Sequence, residues 1–188
     1  MTLRYLTVAL TIAGAATLTA QQTGPRARAD IKGQGITGTA TLQELPARKA
    51  GADDPKFPGG VKLVEITVEV TGLTPGAHGI HLHAIGKCEA PFTSAGGHFD
   101  PGPHSDTDPD TNHPFHMGDL PNIVADQSGK ATYTAVTSRV TLSDGPLSVF
   151  DADGTAIILH GNPDQGTTGA PKSGVSGGPR VACGVVSK

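Results

Sequence analysis

The strongest constraint on the fold is a series of short, alternating, β-branched segments separated by turns. Four such segments span residues 35–45, 61–70, 130–142 and 155–160, and the second of them reads VKLVEITVEV. Gly, Pro and Asp lie between them, as in LTPGAHG and DADGT. Alternation with a period of two is typical of strands that bury one face. The sequence therefore predicts an antiparallel all-β sandwich or barrel.

Two long segments, 86–125 and 161–178, do not read as strands. Segments of this length inside a compact domain are usually functional or disordered. The chain has 188 residues, enough for one domain with a real core, and we place that domain at residues 31–188. Its formal net charge is -3 and it has no basic block, so nucleic acid and anionic membrane are not expected as partners.

The first twenty residues are typical of a secretory signal. Arg4 supplies a positive start, and residues 6–20 are uncharged and either apolar or small. This stretch is shorter than the roughly 20 apolar residues that a membrane span needs. We therefore expect a signal peptide at 1–20, a flexible segment at 21–30 and no membrane span after cleavage. The mature protein is expected in the periplasm, the cell envelope or the extracellular space.

Export would place the two cysteines, Cys88 and Cys183, in an oxidising compartment. In an oxidising compartment a lone pair of cysteines is more commonly a disulfide than two free thiols. We expect the disulfide, with two buried thiols as the alternative. The bridge would tie the first long segment to the last strand of the chain.

Histidines are concentrated in one region: seven of the eight lie between His78 and His116, and His160 stands alone after an apolar run. Neutral imidazole is the commonest protein ligand for transition metals. In GIHLH, His81 and His83 lie two residues apart, so on a strand both side chains project from one face and can bind one ion. This pair alone is weak evidence, because two histidines on a solvated strand face give the same pattern.

The remaining candidates are too many for one metal. They occur in SAGGHFDPG and PGPHSDTDPDTNHPFHMGD. Copper suits a site of four imidazoles, and the candidates for it are His81, His83, His98 and His160. Zinc accepts three nitrogens and an oxygen, and the candidates are His98, one further loop histidine, His116 and Asp119. One ring can contact both ions when both of its nitrogens are deprotonated.

With these motifs in place, the sequence resembles the copper,zinc superoxide dismutases, and most closely the exported bacterial members. The motifs occur in the family's order from about residue 31 to the end: GIHLH, GKCEAPFTSAGGHFDP, HMGDLPN, His160 before GNPDQG, and GGPRVACGVV. The resemblance implies a Greek-key β-sandwich or flattened barrel, immunoglobulin-like in architecture, with two long functional loops. It also implies superoxide as the substrate and copper and zinc ions as the cofactors.

The resemblance assigns metal ligands residue by residue. The implied copper ligands are His81, His83, His98 and His160, with His98 as the bridge to zinc. The implied zinc ligands are His98, His104, His116 and Asp119. His104 is favoured because a polar stretch reaching Pro follows it, and His113 is the alternative to His104.

Three other residues take supporting roles in the resemblance. Asp164 corresponds to an acid that hydrogen-bonds ligands of both metals. His78 corresponds to a position that orients the site without binding metal, and on a continuous strand it would face away from His81. Arg180 corresponds to a guanidinium beside the copper that attracts and orients superoxide.

The implied reaction is the disproportionation of superoxide to dioxygen and hydrogen peroxide, with copper cycling between Cu(II) and Cu(I). His98 and Arg180 are the catalytic residues, and redox-inert zinc holds the His98 ring. The competing hypothesis is a non-catalytic copper- or zinc-binding protein, a buffer or a chaperone. Relatives pair through different surfaces or stay monomeric, so the sequence leaves a homodimer open.

Overall fold

The computed structural model describes residues 24–48, 60–102 and 108–188. This part of the chain contains nine strands: β1 (Arg26–Gly33), β2 (Thr37–Arg48), β3 (Val61–Thr71), β4 (Gly76–His78), β5 (Ile80–His83), β6 (Ile123–Ala125), β7 (Ala131–Thr137), β8 (Ala156–His160) and β9 (Arg180–Val185). Its helical content is a 3-10 turn at Thr93–Ala95. The predicted all-β class is confirmed. The predicted signal peptide lies outside the described residues.

Seven strands form one sheet in the order β5-β8-β9-β1-β2-β3-β7, and β4 pairs separately with β6. The strands β1, β2 and β3 are neighbours in sequence and in space, whereas β1 also pairs with β9, and β3 with β7. All these pairs are antiparallel. Connections that join neighbours and then cross to distant strands are those of a Greek-key arrangement.

Strand β1 begins before the predicted domain boundary at residue 31. Along it Ala27, Ala29 and Ile31 are buried, and Arg28 and Asp30 face solvent. Alanine contributes little to a hydrophobicity pattern, so this alternation was hidden in the sequence. Residues 26–30, predicted as part of a flexible segment, belong to the sheet, and the boundary is corrected accordingly.

Strands β5 and β8 are buried on both faces. Ile80 and Leu82 of β5 join Ile157 and Leu159 of β8 in the main hydrophobic core. Because successive side chains of a strand point to opposite faces, the histidines of β5 lie on the face away from that core. The sheet therefore offers a buried surface for polar groups at this edge.

The described parts of the first long loop, residues 84–102 and 108–122, cover the free edge of β5. The Leu82 N–H donates to the Gly118 carbonyl (3.0 Å), and the Phe99 N–H donates to the Leu82 carbonyl (2.8 Å). This approach requires glycine, since a Cβ at Gly118 would lie 2.3 Å from the Leu82 oxygen. The second long loop, residues 161–179, joins β8 to β9. Within the described ranges no helix has the length and apolar character needed to cross a bilayer.

Candidate metal centre

Three histidines are brought together by strand register. His81 and His83 lie on β5, and β5 pairs with β8, which ends at His160. The register shifts between Leu159 and His160, at the last position of β8. All three rings are buried, and the ring centroid of His160 lies 4.9 Å from that of His81 and 5.7 Å from that of His83.

A fourth histidine comes from the first long loop. His98 forms an isolated antiparallel bridge with His83, and its ring centroid lies 4.1 Å from that of His81. Ligand atoms of the four residues lie within 4.8 Å of one another. We call them the four-nitrogen group: His81, His83, His98 and His160.

Each ring of this group has one nitrogen held by a protein acceptor. The His83 Nδ1–H donates to the Gly96 carbonyl (3.0 Å), and the His160 Nδ1–H donates to the Gly178 carbonyl (3.1 Å). The other nitrogen of each ring is buried without a hydrogen-bond partner: His81 Nδ1, His83 Nε2, His98 Nε2 and His160 Nε2. Buried polar atoms without partners are rare in folded proteins. Four of them in one place fit a bound ion, and four nitrogens suit copper.

The environment keeps these rings neutral. Burial, with repulsion from His98, lowers the pKa of His81 to about 4. Burial, with repulsion from His81, lowers the pKa of His160 to about 3. Burial also lowers the pKa of His98 to about 4, although Asp119 opposes it. A neutral imidazole has a free lone pair, so the group is ready to bind metal at neutral pH.

A second group forms around the carboxylate of Asp119. Its Oδ1 lies 2.6 Å from His98 Nδ1 and 3.3 Å from His113 Nδ1, and its Oδ2 lies 3.1 Å from His116 Nδ1. A bridge between Asp119 and His81 fixes this part of the loop on β5. We call these residues the Asp119 group: His98, His113, His116 and Asp119. Three nitrogens and an oxygen suit zinc, and His98 belongs to both groups.

Asp164 links the two groups. The His81 Nε2–H donates to Asp164 Oδ2 (2.9 Å), and the His113 Nε2–H donates to Asp164 Oδ1 (2.7 Å). Burial lowers the pKa of His113, but the nearby Asp119 carboxylate and the hydrogen bond to Asp164 outweigh it and raise that pKa to about 9. One carboxylate therefore orients a ring in each group.

The loop histidine that the resemblance favoured, His104, lies in the range 103–107, outside the described residues. The histidine beside Asp119 is the alternative, His113, which is fully buried. Its Nδ1 is among the buried nitrogens without a partner. The structure therefore places His113 beside Asp119, and the prediction for His104 stays a prediction.

His78 contacts the backbone of the site. Gly79 separates strand β4 from strand β5. The buried His78 ring donates from Nδ1 to the His160 carbonyl (2.8 Å). Its Nε2 lies 2.8 Å from the Thr74 carbonyl and 3.2 Å from the Thr74 hydroxyl. His78 therefore supports His160 from outside the four-nitrogen group.

Arg180 opens β9 and pairs in register with His160. Its Nη1 donates to the Phe92 carbonyl (2.8 Å), and its Nη2 donates to the Gly96 carbonyl (2.6 Å). Gly96 is also the residue whose carbonyl holds His83. The guanidinium is thus fixed beside the four-nitrogen group and brings a permanent positive charge there.

The predicted disulfide between Cys88 and Cys183 is confirmed. It joins residues 95 positions apart, and their Cα atoms lie 5.6 Å from each other. Cys183 follows Arg180 on β9, and Cys88 precedes the segment whose carbonyls Arg180 holds. The bond therefore anchors both sides of the Arg180 contact.

Sequence reasoning missed the backbone groups that orient the rings. The carbonyls of Gly96 and Gly178 hold His83 and His160, and Gly177 lies so close to His160 that a Cβ there would be 2.7 Å from the His160 Cβ. The signal for them was a glycine pair in each loop, in SAGGH and SGGPR. Nothing in those pairs identifies the histidine that each one contacts.

Comparison with known proteins decides the family. The sequence model described as copper/zinc superoxide dismutase (SODC) matches residues 36–186. The chain belongs to the copper/zinc superoxide dismutase family. It is similar to the superoxide dismutase [Cu-Zn] of Caulobacter vibrioides, at 40% identity over 80% of this chain and 85% of that protein.

The chain is also similar to two other kinds of protein. The chain is 33% identical to the human copper chaperone for superoxide dismutase, over 88% of this chain and 60% of the chaperone. A solved SOD-like protein from Bacillus subtilis, a double mutant, has a TM-score of 0.62 and 28% identity over 84% of this chain and 95% of its own. The predicted fold, the enzyme class and the copper and zinc cofactors are confirmed.

Proposed function

We propose that this chain disproportionates superoxide to dioxygen and hydrogen peroxide outside the cytoplasm. The observation that carries the proposal is the four-nitrogen group, in which four buried ring nitrogens without partners converge next to a fixed arginine. A site of this kind binds a redox metal and attracts an anion. Membership in the copper/zinc superoxide dismutase family supplies the chemistry that such a site performs.

The proposed copper ligands are the unpartnered nitrogens of His81, His83, His98 and His160. Copper held there would supply the one-electron chemistry of the Cu(II)/Cu(I) couple, which the disproportionation of superoxide needs. The protein holds the other nitrogen of His83 and His160 on backbone carbonyls, which selects the tautomer with a free Nε2. The ligands are thereby oriented before metal arrives.

The proposed zinc ligands are His98, His113, His116 and Asp119, with His113 in place of His104. Support comes from Asp164, which occupies the Nε2 side of His113 and leaves its Nδ1 towards Asp119. Zinc has a structural role in this proposal, because it does not change oxidation state.

His98 and Arg180 are the proposed catalytic residues. His98 Nε2 would hold a proton and pass it to the reduced product, while the Nδ1 side of the ring stays within the Asp119 group. Arg180 would attract the superoxide anion, since its charge lies beside the four-nitrogen group and its orientation is fixed by two carbonyls.

A copper-delivering role is the competing proposal, supported by the similarity to the human copper chaperone. Both proposals require copper binding, and they differ in turnover. A delivery protein would transfer copper to an acceptor and would show no dependence of superoxide decay on Arg180. The complete four-nitrogen group with Arg180 beside it favours the enzyme.

Export is supported by the disulfide, because such bonds persist in oxidising compartments. The test is cell fractionation of the full-length chain together with mass spectrometry of its N-terminus. We expect mature protein in the periplasmic, envelope or culture-medium fraction, cut near Ala20. An uncut N-terminus on soluble cytoplasmic protein would overturn this part of the proposal.

A homodimer is also proposed, with exposed large apolar side chains as the candidate contact residues. Val124 on β6, Val136 on β7 and Phe115 are large apolar side chains with exposed fractions of 64%, 52% and 65%. Light scattering after size exclusion is expected to give twice the chain mass, and Phe115→Ser with Val136→Ser should give monomers. A wild-type monomer at high concentration would contradict it.

The deciding experiment for the function is a superoxide decay assay on protein loaded with copper and zinc. We expect disproportionation far above that of the metal-free chain, and we expect it to persist when a chelator binds any free copper. A wild-type protein that holds a full equivalent of copper and is inactive would overturn the proposed enzymatic function. The proposal of a copper-binding protein would then remain.

A further inference from the structure

The two long loops are joined to each other by a pair of aspartates that bind no ring of the metal centre. Asp108 and Asp110 lie in the turn before His113, and both carboxylates accept hydrogen bonds from the second loop. Asp108 accepts from the Lys172 N–H (3.0 Å) and, through its other oxygen, from the Asp110 N–H (3.0 Å). The first loop thus reaches across to the second.

Asp110 makes the deeper contact. Its residue is 3% exposed, and its Oδ1 accepts from the Ser176 N–H (3.0 Å) and the Ser176 hydroxyl (2.7 Å). Its Oδ2 accepts from the Gly174 N–H (2.6 Å), and its backbone carbonyl accepts from the Gly169 N–H (2.9 Å). The second loop is shaped to deliver these donors, since Lys172 and Gly174 both have positive φ, 60° and 80°.

Ser176, which Asp110 holds, is adjacent to the groups that orient the ligands. Gly177, the next residue, packs on His160, and the carbonyl of Gly178 accepts the His160 Nδ1–H. Ser176 also forms an isolated bridge with Asp164, the residue that holds His81 and His113. A displacement of Ser176 would therefore reach both groups of the metal centre.

We propose that Asp110 is a positioning residue for the copper ligands: by binding Ser176 and Gly174 it holds the second loop where Gly178 and Asp164 orient His160 and His81. The buried carboxylate is well suited to this task, because hydrogen bonds to a charged acceptor are the stronger ones. Its effect on turnover rests on the proposed function, whereas its effect on loop and ligand geometry does not.

The test compares Asp110→Asn with a matched control, Asp126→Asn, in the copper- and zinc-loaded protein. Asp126 makes the same kinds of contact, accepting from the Ser128 N–H, the Ser128 hydroxyl and the Lys130 N–H, but in the turn between β6 and β7. In Asp110→Asn an NH2 group replaces the carboxylate oxygen that accepts from the Gly174 N–H, so two donors face each other there. Hydrogen exchange of residues 168–178 and the Cu(II) electron paramagnetic resonance spectrum are recorded for both variants.

For Asp110→Asn we expect the amides of Gly174 and Ser176 to exchange at least about tenfold faster, as when a hydrogen bond to a charged group is lost. The Cu(II) spectrum should shift because His160 is less firmly oriented. Asp126→Asn should give the wild-type copper spectrum and faster exchange only in its own turn. Ser176→Ala, which removes a single contact, should shift the spectrum in the same direction by less.

A folded Asp110→Asn protein with the wild-type copper spectrum would overturn the inference, and so would an equal shift in Asp126→Asn. If Asp110→Asn does not fold, an unchanged copper spectrum in Ser176→Ala overturns it. Neither readout needs dismutase activity. An inactive wild-type enzyme would thus count against the proposed function and leave this inference standing.

Discussion

The two halves of the metal centre are built by different means. In the four-nitrogen group, strand register places His81, His83 and His160, and their free nitrogens face one another without partners. In the Asp119 group, a loop carries the ligands, and a carboxylate already accepts from or contacts each ring. The first half is therefore preformed and unsatisfied. In the second, His98 and His116 already hydrogen-bond to Asp119, so metal must replace those bonds, while His113 Nδ1 lacks a partner.

The largest effect is expected where the preformed half loses a ligand. His160→Ala should abolish superoxide disproportionation and copper retention, because the sheet fixes the remaining nitrogens and offers no replacement. The fold should persist, since the neighbouring Leu159 stays in the core. Copper analysis, the superoxide assay and circular dichroism check this. His160→Ala protein with wild-type activity would show that copper is bound elsewhere.

The next effect distinguishes the loop histidines. His113→Ala should weaken zinc binding by more than about tenfold, a loss at least as large as that of an outer hydrogen-bonding partner. Its matched variant, His104→Ala, should keep wild-type zinc affinity. A competition titration with a chromophoric zinc chelator measures both. The reverse outcome would make His104, in place of His113, the zinc ligand.

A smaller effect is expected at the entrance to the four-nitrogen group. Arg180→Ala should keep copper and lower kcat/KM by about tenfold, the low end of what electrostatic steering supplies, with a weaker dependence on ionic strength. Lys172→Ala, at an exposed loop position, is the control and should be near wild type. Equal rates in Arg180→Ala and wild type would remove the steering role.

The smallest effect concerns the pH dependence of the metal-free protein. The pKa of His81 and His98 in the fold is about 4 and that of His160 about 3, against an ordinary value of 6.5. The folded state then binds fewer protons than the unfolded state, so the free energy of unfolding should fall as pH drops from 6.5 towards 4. This loss of stability at acid pH arises from the histidines of the four-nitrogen group.

The Asp119 group has the opposite effect, a loss of stability at alkaline pH. The pKa of His113 is raised to about 9, so its stabilisation is complete below pH 6.5 and is lost as pH rises through 9. Urea unfolding of metal-free protein should show greatest stability near pH 6.5, and His113→Ala should flatten the alkaline side only. A wild-type curve that rises steadily to pH 9 would contradict this assignment.

The sequence predicted the strand-borne half of the centre better than the loop-borne half, for a physical reason. A strand has a fixed period, so His81 and His83 could be placed on one face from spacing alone. A loop has no period, so spacing left His104 and His113 as alternatives. The place of His113 beside Asp119 depends on contacts that only the folded chain makes, such as the hydrogen bond that it donates to Asp164.

Contacts between residues far apart in the chain could not be predicted from the sequence, for the same reason. Asp110 and Ser176 are 66 residues apart, and the turn around Asp110 gave no hint of its partner. The early start of β1 was hidden by Ala27 and Ala29, which bury well but carry little hydrophobic signal. Family motifs supplied the candidate ligands, and the structure supplied their arrangement.

Anomalous X-ray diffraction at the copper and zinc edges, on crystals of the metal-loaded protein, tests the account most directly. We predict a copper peak at His81 Nδ1 and the Nε2 atoms of His83, His98 and His160. A separate zinc peak is expected at Asp119 and the Nδ1 atoms of His98, His113 and His116, with the His98 ring between the two ions. A single metal peak, or zinc bound by His104, would contradict the account.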